Sequence, residues 1–378
     1  MKRYYLLAAV ALSLALLVTG CAQKENKQAA KGKIGLVFDL AGRGDNSFND
    51  SAYNGLVKLA KNYKGWIEGD PSKVNFGTDL QLKYAEPKGG GQDRETLMRA
   101  LAEAGYNPIF GIGFAFGDAI AKVAKDFPKT HFIGIDVFLP DLKADGNITC
   151  AGFTENEGSF LVGALAAYKA DGKKIGFMGG VDIGLIHRFE NGFRAGAMYV
   201  NPAYRKNGAI LVQYISKEFS GFNDPAGGYN VAMNLYKQGA VIVYHAAGGS
   251  GDGLFKASME TGKLGIGVDS DQALVYAASK DSAVQGRAKF VMTSMLKRVD
   301  NAVFSLGKEF IEKGAMPGGY RTFNLASDGV GYAVNDLNKA DMDSYSVKIQ
   351  DLRTKIIDGT IKVPDENTDV AAWAKMLK

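Results

Sequence analysis

The stretch that decides the fold is Lys33–Asp50, KIGLVFDLAGRGDNSFND. Its apolar run from Ile34 to Phe38 is what a strand buried on both faces presents, and it stops abruptly at Asp39. A loop carrying Gly42 and Gly44 follows, and Ser47-Phe48-Asn49-Asp50 then leads into a helical pattern. Open α/β sheets hold their ligands where a strand gives way through a polar loop to a helix N-terminus. A carboxylate at the strand end and an aromatic ring at the helix mouth suit a flat, polar ligand.

The same pattern recurs downstream. Strands are expected at Leu80–Tyr84, Pro108–Gly113, His131–Asp136 and Asn147–Phe153, with helices at Gln92–Gly105 and Asp118–Phe127 between them. Trp66–Leu80 reads as irregular. A second series begins with a helix at Glu155–Ala170, whose Gly158, Gly163, Ala164 and Ala167 allow close packing. Strands follow at Lys174–Met178, Ala209–Ile215, Ala240–Tyr244 and Leu264–Val268, separated by helices at His187–Tyr199, Tyr229–Gln238 and Leu254–Glu260. Strands alternating with helices over short connections predict an α/β fold of two doubly wound parallel-sheet lobes facing each other across a cleft. The tail, with a strand at Lys289–Leu296, a helix at Lys297–Glu312, a short strand at Val330–Val334 and a last helix at Met342–Ile357, is expected to cross back and return, giving a multi-strand hinge. The expected division is 33–152 with 285–320 in an N-terminal lobe, and 153–284 with 321–378 in a C-terminal lobe.

Residues 1–21 read as an export signal: Lys2-Arg3, an apolar run from Leu6 to Val18, then Thr19-Gly20-Cys21. Val18–Cys21 resembles a bacterial lipobox, which implies cleavage before Cys21 and lipidation of its thiol. Residues 22–32, rich in Lys, Gln and Ala, read as a flexible tether. The remaining chain of about 360 residues is long enough for two full cores. Removing Lys2 and Arg3 takes the formal net charge from +5 to +3, too mild and too scattered to argue for nucleic acid. Cys150 is then a lone buried thiol. The three histidines lie far apart, no cluster has metal-ligand spacing, and no nucleophile motif is present, so neither a metal, a cofactor nor catalysis is expected.

Three strands end on aspartate, at Asp39, Asp136 and Asp269, and two on glycine pairs, Gly179-Gly180 and Gly248-Gly249. A single strand-end aspartate is commonly a helix cap or turn residue. Three spread over both lobes also suit hydrogen bonds from vicinal hydroxyls of a sugar or ribose. Phe48 and Phe189 each lie at a cleft-facing helix, one per lobe, and either sandwich a planar base or belong to the core. Lys297, at a strand-to-helix junction, is either a donor to a hydroxyl or a surface lysine. Gly111–Gly117 mimics a dinucleotide fingerprint, with Asp136 about 20 residues on. Phe114 and Phe116, however, stand where a backbone must approach a pyrophosphate, which argues against that reading.

The lipobox, DNSFND at 45–50, residues 111–118, THFIGID at 130–136, HRFENGF at 187–193, GIGVD at 265–269 and TSMLKRVD at 293–300 together resemble the basic membrane protein family of bacterial lipoproteins, over essentially the whole mature chain. The resemblance implies a type I periplasmic-binding-protein fold and the substrate-binding subunit of an ABC importer, delivering nucleosides, purine nucleosides in particular, to a membrane permease. It implies Phe48 and Phe189 stacking on the base and Asn49 and Asp136 hydrogen-bonding it. Asp39, Gly248, Asp269 and Lys297 would line the site, the last two at the ribose hydroxyls; Gly113 and Phe114 are first-lobe wall residues by position only. A sugar receptor of the same fold is the alternative.

Overall fold

The computed structural model describes residues 31–377; the expected export signal, Cys21 and most of the tether lie outside them. The first series runs β1 (Gly32–Val37), α1 (Phe48–Asn62), β2 (Gly65–Glu68), β3 (Leu80–Ala85), α2 (Arg94–Glu103), β4 (Ile109–Ile112), α3 (Gly117–Asp126), β5 (Phe132–Ile135) and β6 (Ile148–Phe153). The second comprises α4 (Glu155–Ala170), β7 (Ile175–Val181), α5 (Gly184–Val200), β8 (Ile210–Ser216), α6 (Pro225–Lys237), β9 (Ile242–Ala246), α7 (Gly251–Thr261), β10 (Leu264–Asp269), α8 (Gln272–Ala277), α9 (Ser282–Gln285) and β11 (Val291–Lys297). The tail adds α10 (Val299–Lys313), β12 (Gly319–Phe323), β13 (Val330–Tyr332), α11 (Lys339–Asp343), α12 (Ser346–Ile357) and α13 (Val370–Lys375).

Two sheets result, one per lobe. The first has the order β12-β6-β5-β4-β1-β3-β2 and is parallel throughout; the second is β13-β11-β10-β9-β7-β8, parallel except for β13. Both faces are covered by helices, so the central strands are apolar along their length: β4, β5, β7 and β9 are buried at every residue. Cys150 is a free, buried thiol in β6.

The chain passes between lobes three times, at Phe153–Glu155, Lys297–Val299 and Phe323–Val330. The segment 285–320, expected in the N-terminal lobe, is divided by the second of these passages. β11 pairs with β10 in the second sheet, whereas α10 packs on α1 in the first lobe. Residues 321–323, expected in the other lobe, complete β12 beside β6. An apolar strand such as Val291–Lys297 fits either sheet by its pattern, and only its neighbours assign it. Likewise Gly65–Glu68 forms an edge strand rather than irregular chain, the expected helix at Met342–Ile357 is broken near Ser344-Tyr345, and α13 is a helix beyond those expected.

Small residues set the helix contacts of the second lobe. A Cβ at Gly163 of α4 would lie 2.1 Å from the Phe193 carbonyl oxygen of α5, and one at Gly196 would lie 2.0 Å from that of Phe160. The two helices therefore touch backbone to backbone.

Candidate ligand-binding cleft

Between the carboxyl ends of the two sheets lies a cavity of about 680 Å³, its opening included. All ten residues named for the site under the family resemblance line it, whereas Gly179, Gly180 and Gly249 of the strand-end glycine pairs do not. Asp39, Phe48, Asn49, Gly113, Phe114 and Asp136 come from the first lobe, and Phe189, Gly248, Asp269 and Lys297 from the second. Asp136 and Asp269 occupy matching positions at the ends of β5 and β10, and both have left-handed backbones, at φ 60° and 65°. Non-glycine residues adopt that conformation at a cost, and such strain clusters at functional sites.

Lys297 is the electrostatic centre. It is 2% exposed, and its Nζ donates to Asp136 Oδ2 at 2.5 Å and lies 2.9 Å from Glu155 Oε1. Burial works against its charge, but Asp136, Glu155 and Asp269 outweigh that and hold its pKa above the ordinary lysine value. Burial in turn pushes the pKa of each of these three carboxyls up, with Lys297 pulling the other way. The ammonium stands 5.2 Å from the Phe48 ring centroid, 5.4 Å from that of Phe189 and 5.0 Å from that of Phe153. Both candidate stacking rings thus face one cation at cation–π distance. Phe189 is 3% exposed and borders both the cavity and the core, so its two readings are not exclusive.

The polar groups of the first lobe are largely committed to one another. Asp45 accepts hydrogen bonds from the backbone N–H groups of Ser47, Asn49 and Asp50 and from Asn49 Nδ2, at 2.8–3.1 Å. It thereby fills the α1 N-terminus, where an external anion would otherwise bind. Burial, and then Asp50, push its pKa up to about 7, against those N–H donors. Asn49 Oδ1 accepts from the Asp39 N–H at 2.9 Å, so both ends of this amide hold the loop together, leaving one N–H and one lone pair spare. Asp39 is paired with Arg94 Nη2 at 3.0 Å; burial raises its pKa while Arg94 opposes. Gly113, at φ 109°, makes room for Asp39: a Cβ there would sit 2.5 Å from Asp39 Oδ2. Gly111 accommodates the buried Phe116, so the glycines of the fingerprint-like loop serve packing.

Several lining residues go beyond those named from the sequence. Asp45, within DNSFND, carries one signal there, its spacing to Ser47 and Asn49 as an N-terminal cap. Phe219 and Phe222 follow β8 in a short 3-10 turn; Phe219 meets Phe114 of the opposite lobe edge-on, with centroids 5.0 Å apart. Glu155 supports the site from behind. It looks like an ordinary acidic residue in a helix first turn, and only the packing reveals that it is wholly buried, with Arg188 Nη1 3.7 Å from its second oxygen. Arg188 itself is held by Glu366 at 2.8 Å through two nitrogens.

Two parallel-sheet lobes closing on a cleft lined from both form an architecture that suits a ligand held between them. A solved ABC transporter system solute-binding protein from Aeropyrum pernix K1 has this fold, with TM-score 0.72 at 24% identity, covering 92% of this chain and 97% of that one. The family described as ABC transporter substrate-binding protein PnrA-like matches residues 32–367, and the chain belongs to it. It is therefore the substrate-binding component of an ABC transporter, and members of this family are not enzymes. Among curated relatives, the CD4+ T-cell-stimulating antigen of Listeria innocua is 34% identical over 351 residues, 90% of each chain. The ABC transporter nucleoside-binding protein BmpA of Lactococcus lactis is 32% identical over 380 residues, 97% of this chain and 99% of that one. An uncharacterized lipoprotein of Pyrococcus furiosus is 32% identical over 331 residues, 86% of this chain and 76% of its own length. Among the described residues, no helix is long and apolar enough to cross a membrane.

Proposed function

We propose that this protein binds a nucleoside, a purine nucleoside in particular, between its lobes and presents it to a membrane permease, held on the extracytoplasmic side of the membrane by a lipid on Cys21. The observation that carries the ligand reading is the convergence of Phe48, Phe189 and Lys297 with four aspartates on one cavity. Aromatic faces from opposite lobes suit a planar base, and carboxylates suit the hydroxyls of ribose and the N–H groups of a base. The name of the Lactococcus relative supports it. The lipid anchor rests on the lipobox and on relatives named as lipoproteins.

In this reading Phe48 and Phe189 stack on the base, Asn49 and Asp136 hydrogen-bond it, and Asp39, Gly113, Gly248, Asp269 and Lys297 complete the wall. Asp136 and Lys297 act as a joined pair, so a ligand meets the spare oxygen of Asp136 rather than a free ammonium. Ligand held by one lobe gains its remaining contacts when the other closes, and the permease distinguishes the closed form.

Native mass spectrometry of protein purified without added ligand, followed by calorimetry with inosine, guanosine, adenosine, cytidine, ribose and galactose, tests the reading. A trapped or titrated nucleoside is the expected result. Binding of ribose or galactose with no nucleoside binding would make the protein a sugar receptor instead.

A further inference from the structure

Gln272, the first residue of α8, is fully buried and does not line the cavity. Its backbone N–H donates to Ser294 Oγ at 3.1 Å. Its side-chain Oε1 accepts from the Val268 N–H at 3.1 Å and lies 2.8 Å from His245 Nε2. Its Nε2 donates to the backbone carbonyl of Asn46, at 3.0 Å, in the opposite lobe. The Val268 N–H can only donate, which fixes the oxygen end of the amide there and makes His245 Nε2 a second donor to it. The nitrogen end is then left aimed across the cleft at Asn46.

The surroundings are shaped to hold this geometry. A Cβ at Gly267 would fall 2.6 Å from Gln272 Oε1 and 2.4 Å from Ser294 Oγ, so the strand gives up a side chain to house the amide. On the first lobe, Asn46 has a left-handed backbone, φ 54°, with its N–H held by Asp50 Oδ2. Two further bonds run beside the first: Ser47 Oγ donates to Asp269 Oδ2 at 2.5 Å, and Ser270 Oγ donates to the Ser47 carbonyl at 3.2 Å. Residues 269–272 thus grip residues 46–47 through three hydrogen bonds directly beside the cavity. Asp269, one of the gripping groups, lines the cavity, as does Phe48 next to Ser47.

We propose that Gln272, oriented by His245, is the closure residue of this receptor: it sets how long the lobes stay shut on a ligand while touching no ligand atom. Contacts made only in the closed form slow dissociation and leave the encounter unchanged. The inference rests on the two-lobed binding reading, but not on which ligand is bound.

Gln272→Glu tests it, because the carboxylate still accepts from Val268 and His245 but turns an oxygen, not an N–H, toward the Asn46 carbonyl. Stopped-flow dissociation of inosine and guanosine should be faster, with both affinities weakened by the same factor, roughly tenfold, and association unchanged. Small-angle scattering of the ligand-saturated protein should show a larger radius of gyration for the variant. Ser270→Ala, at a half-buried position, is the second variant, with a several-fold change in the same direction; it decides the matter should Gln272→Glu fail to fold. Wild-type dissociation rates and scattering in a folded variant would overturn the proposal, as would an affinity loss confined to one nucleoside. Should ribose or galactose bind in place of a nucleoside, the ligand assignment fails while the scattering comparison made with that sugar still tests the closure role.

Discussion

Lys297 and Asp136 join the two lobes at the floor of the cleft: the ammonium at the end of β11 donates to the carboxylate that follows β5, at 2.5 Å, with both side chains almost wholly buried. A buried pair of this kind contributes little over an apolar pair of the same volume, but removing one partner strands the other. Here it would strand two, since Glu155 leans on the same ammonium.

Lys297→Met should therefore lower stability by about 3 kcal/mol at neutral pH. Chemical denaturation should show a smaller loss at acid than at alkaline pH, because burial raises the pKa of Asp136 and Glu155 and lower pH moves both toward the neutral form, which leaves less unpaired charge.

Phe189→Ala should weaken inosine or guanosine binding by about tenfold, roughly the value of one aromatic contact plus its buried area. The variant also opens core volume, so its melting temperature should fall as well. Calorimetry showing wild-type affinity in a folded variant would end the sandwich reading.

A nucleoside 5′-monophosphate should fail to compete with the nucleoside. The cavity lining carries Asp39, Asp45, Asp136 and Asp269 against the single cation Lys297, which is itself occupied. The N–H groups at the start of α1, the natural seat for a phosphate, are filled by Asp45. Competition calorimetry at moderate salt checks this; displacement of inosine by its monophosphate at similar concentration would refute it.

Acid should destabilise the fold partly through His245. Burial lowers its pKa to about 4 from an ordinary 6.5, so between these values the unfolded chain binds a proton that the folded chain does not. Stability then rises with pH across that window and is lost as pH falls from 6.5 toward 4, by up to about 3 kcal/mol for this group. His131, with its pKa also lowered to about 4 by burial and then by Arg321, adds in the same direction. Urea unfolding at pH 7 and pH 4.5, compared with a His245→Asn variant, should show a smaller acid loss in the variant.

Gly163→Ala should cost about 2 kcal/mol or more, because a methyl 2.1 Å from the Phe193 carbonyl forces α4 and α5 apart. Thermal denaturation measures it, and an unchanged melting temperature would show that this helix pair can shift.

Most of the architecture was legible in the chain. Apolar runs such as Ile34–Phe38, Ile109–Ile112 and Leu264–Val268, each broken by a glycine or aspartate and followed by a helical period, announce strands of a parallel sheet, because such strands are buried on both faces. The same punctuation exposed strand-end residues of the cleft, since a parallel sheet collects its carboxyl ends along one edge. Asp39 and Asp136 share one edge for that reason, and Asp269 lies on the matching edge of the second sheet.

Tertiary structure decided the rest. Sequence periodicity reports burial, not partners, so it could not say that Val291–Lys297 pairs with the second sheet while the helix after it packs on the first. Nor could it show that Lys297 is a buried ion-pair partner rather than a free donor, or that Glu155 and Gln272 are buried polar groups rather than helix-start residues. Those properties arise from which charge or donor the packing brings within 3 Å across separations of more than 140 residues, as between Glu155 and Lys297 or Gln272 and Asn46. The chain by itself specified two sheets and the edge where a ligand belongs; the meeting of those edges set the polarity and closure of the cleft.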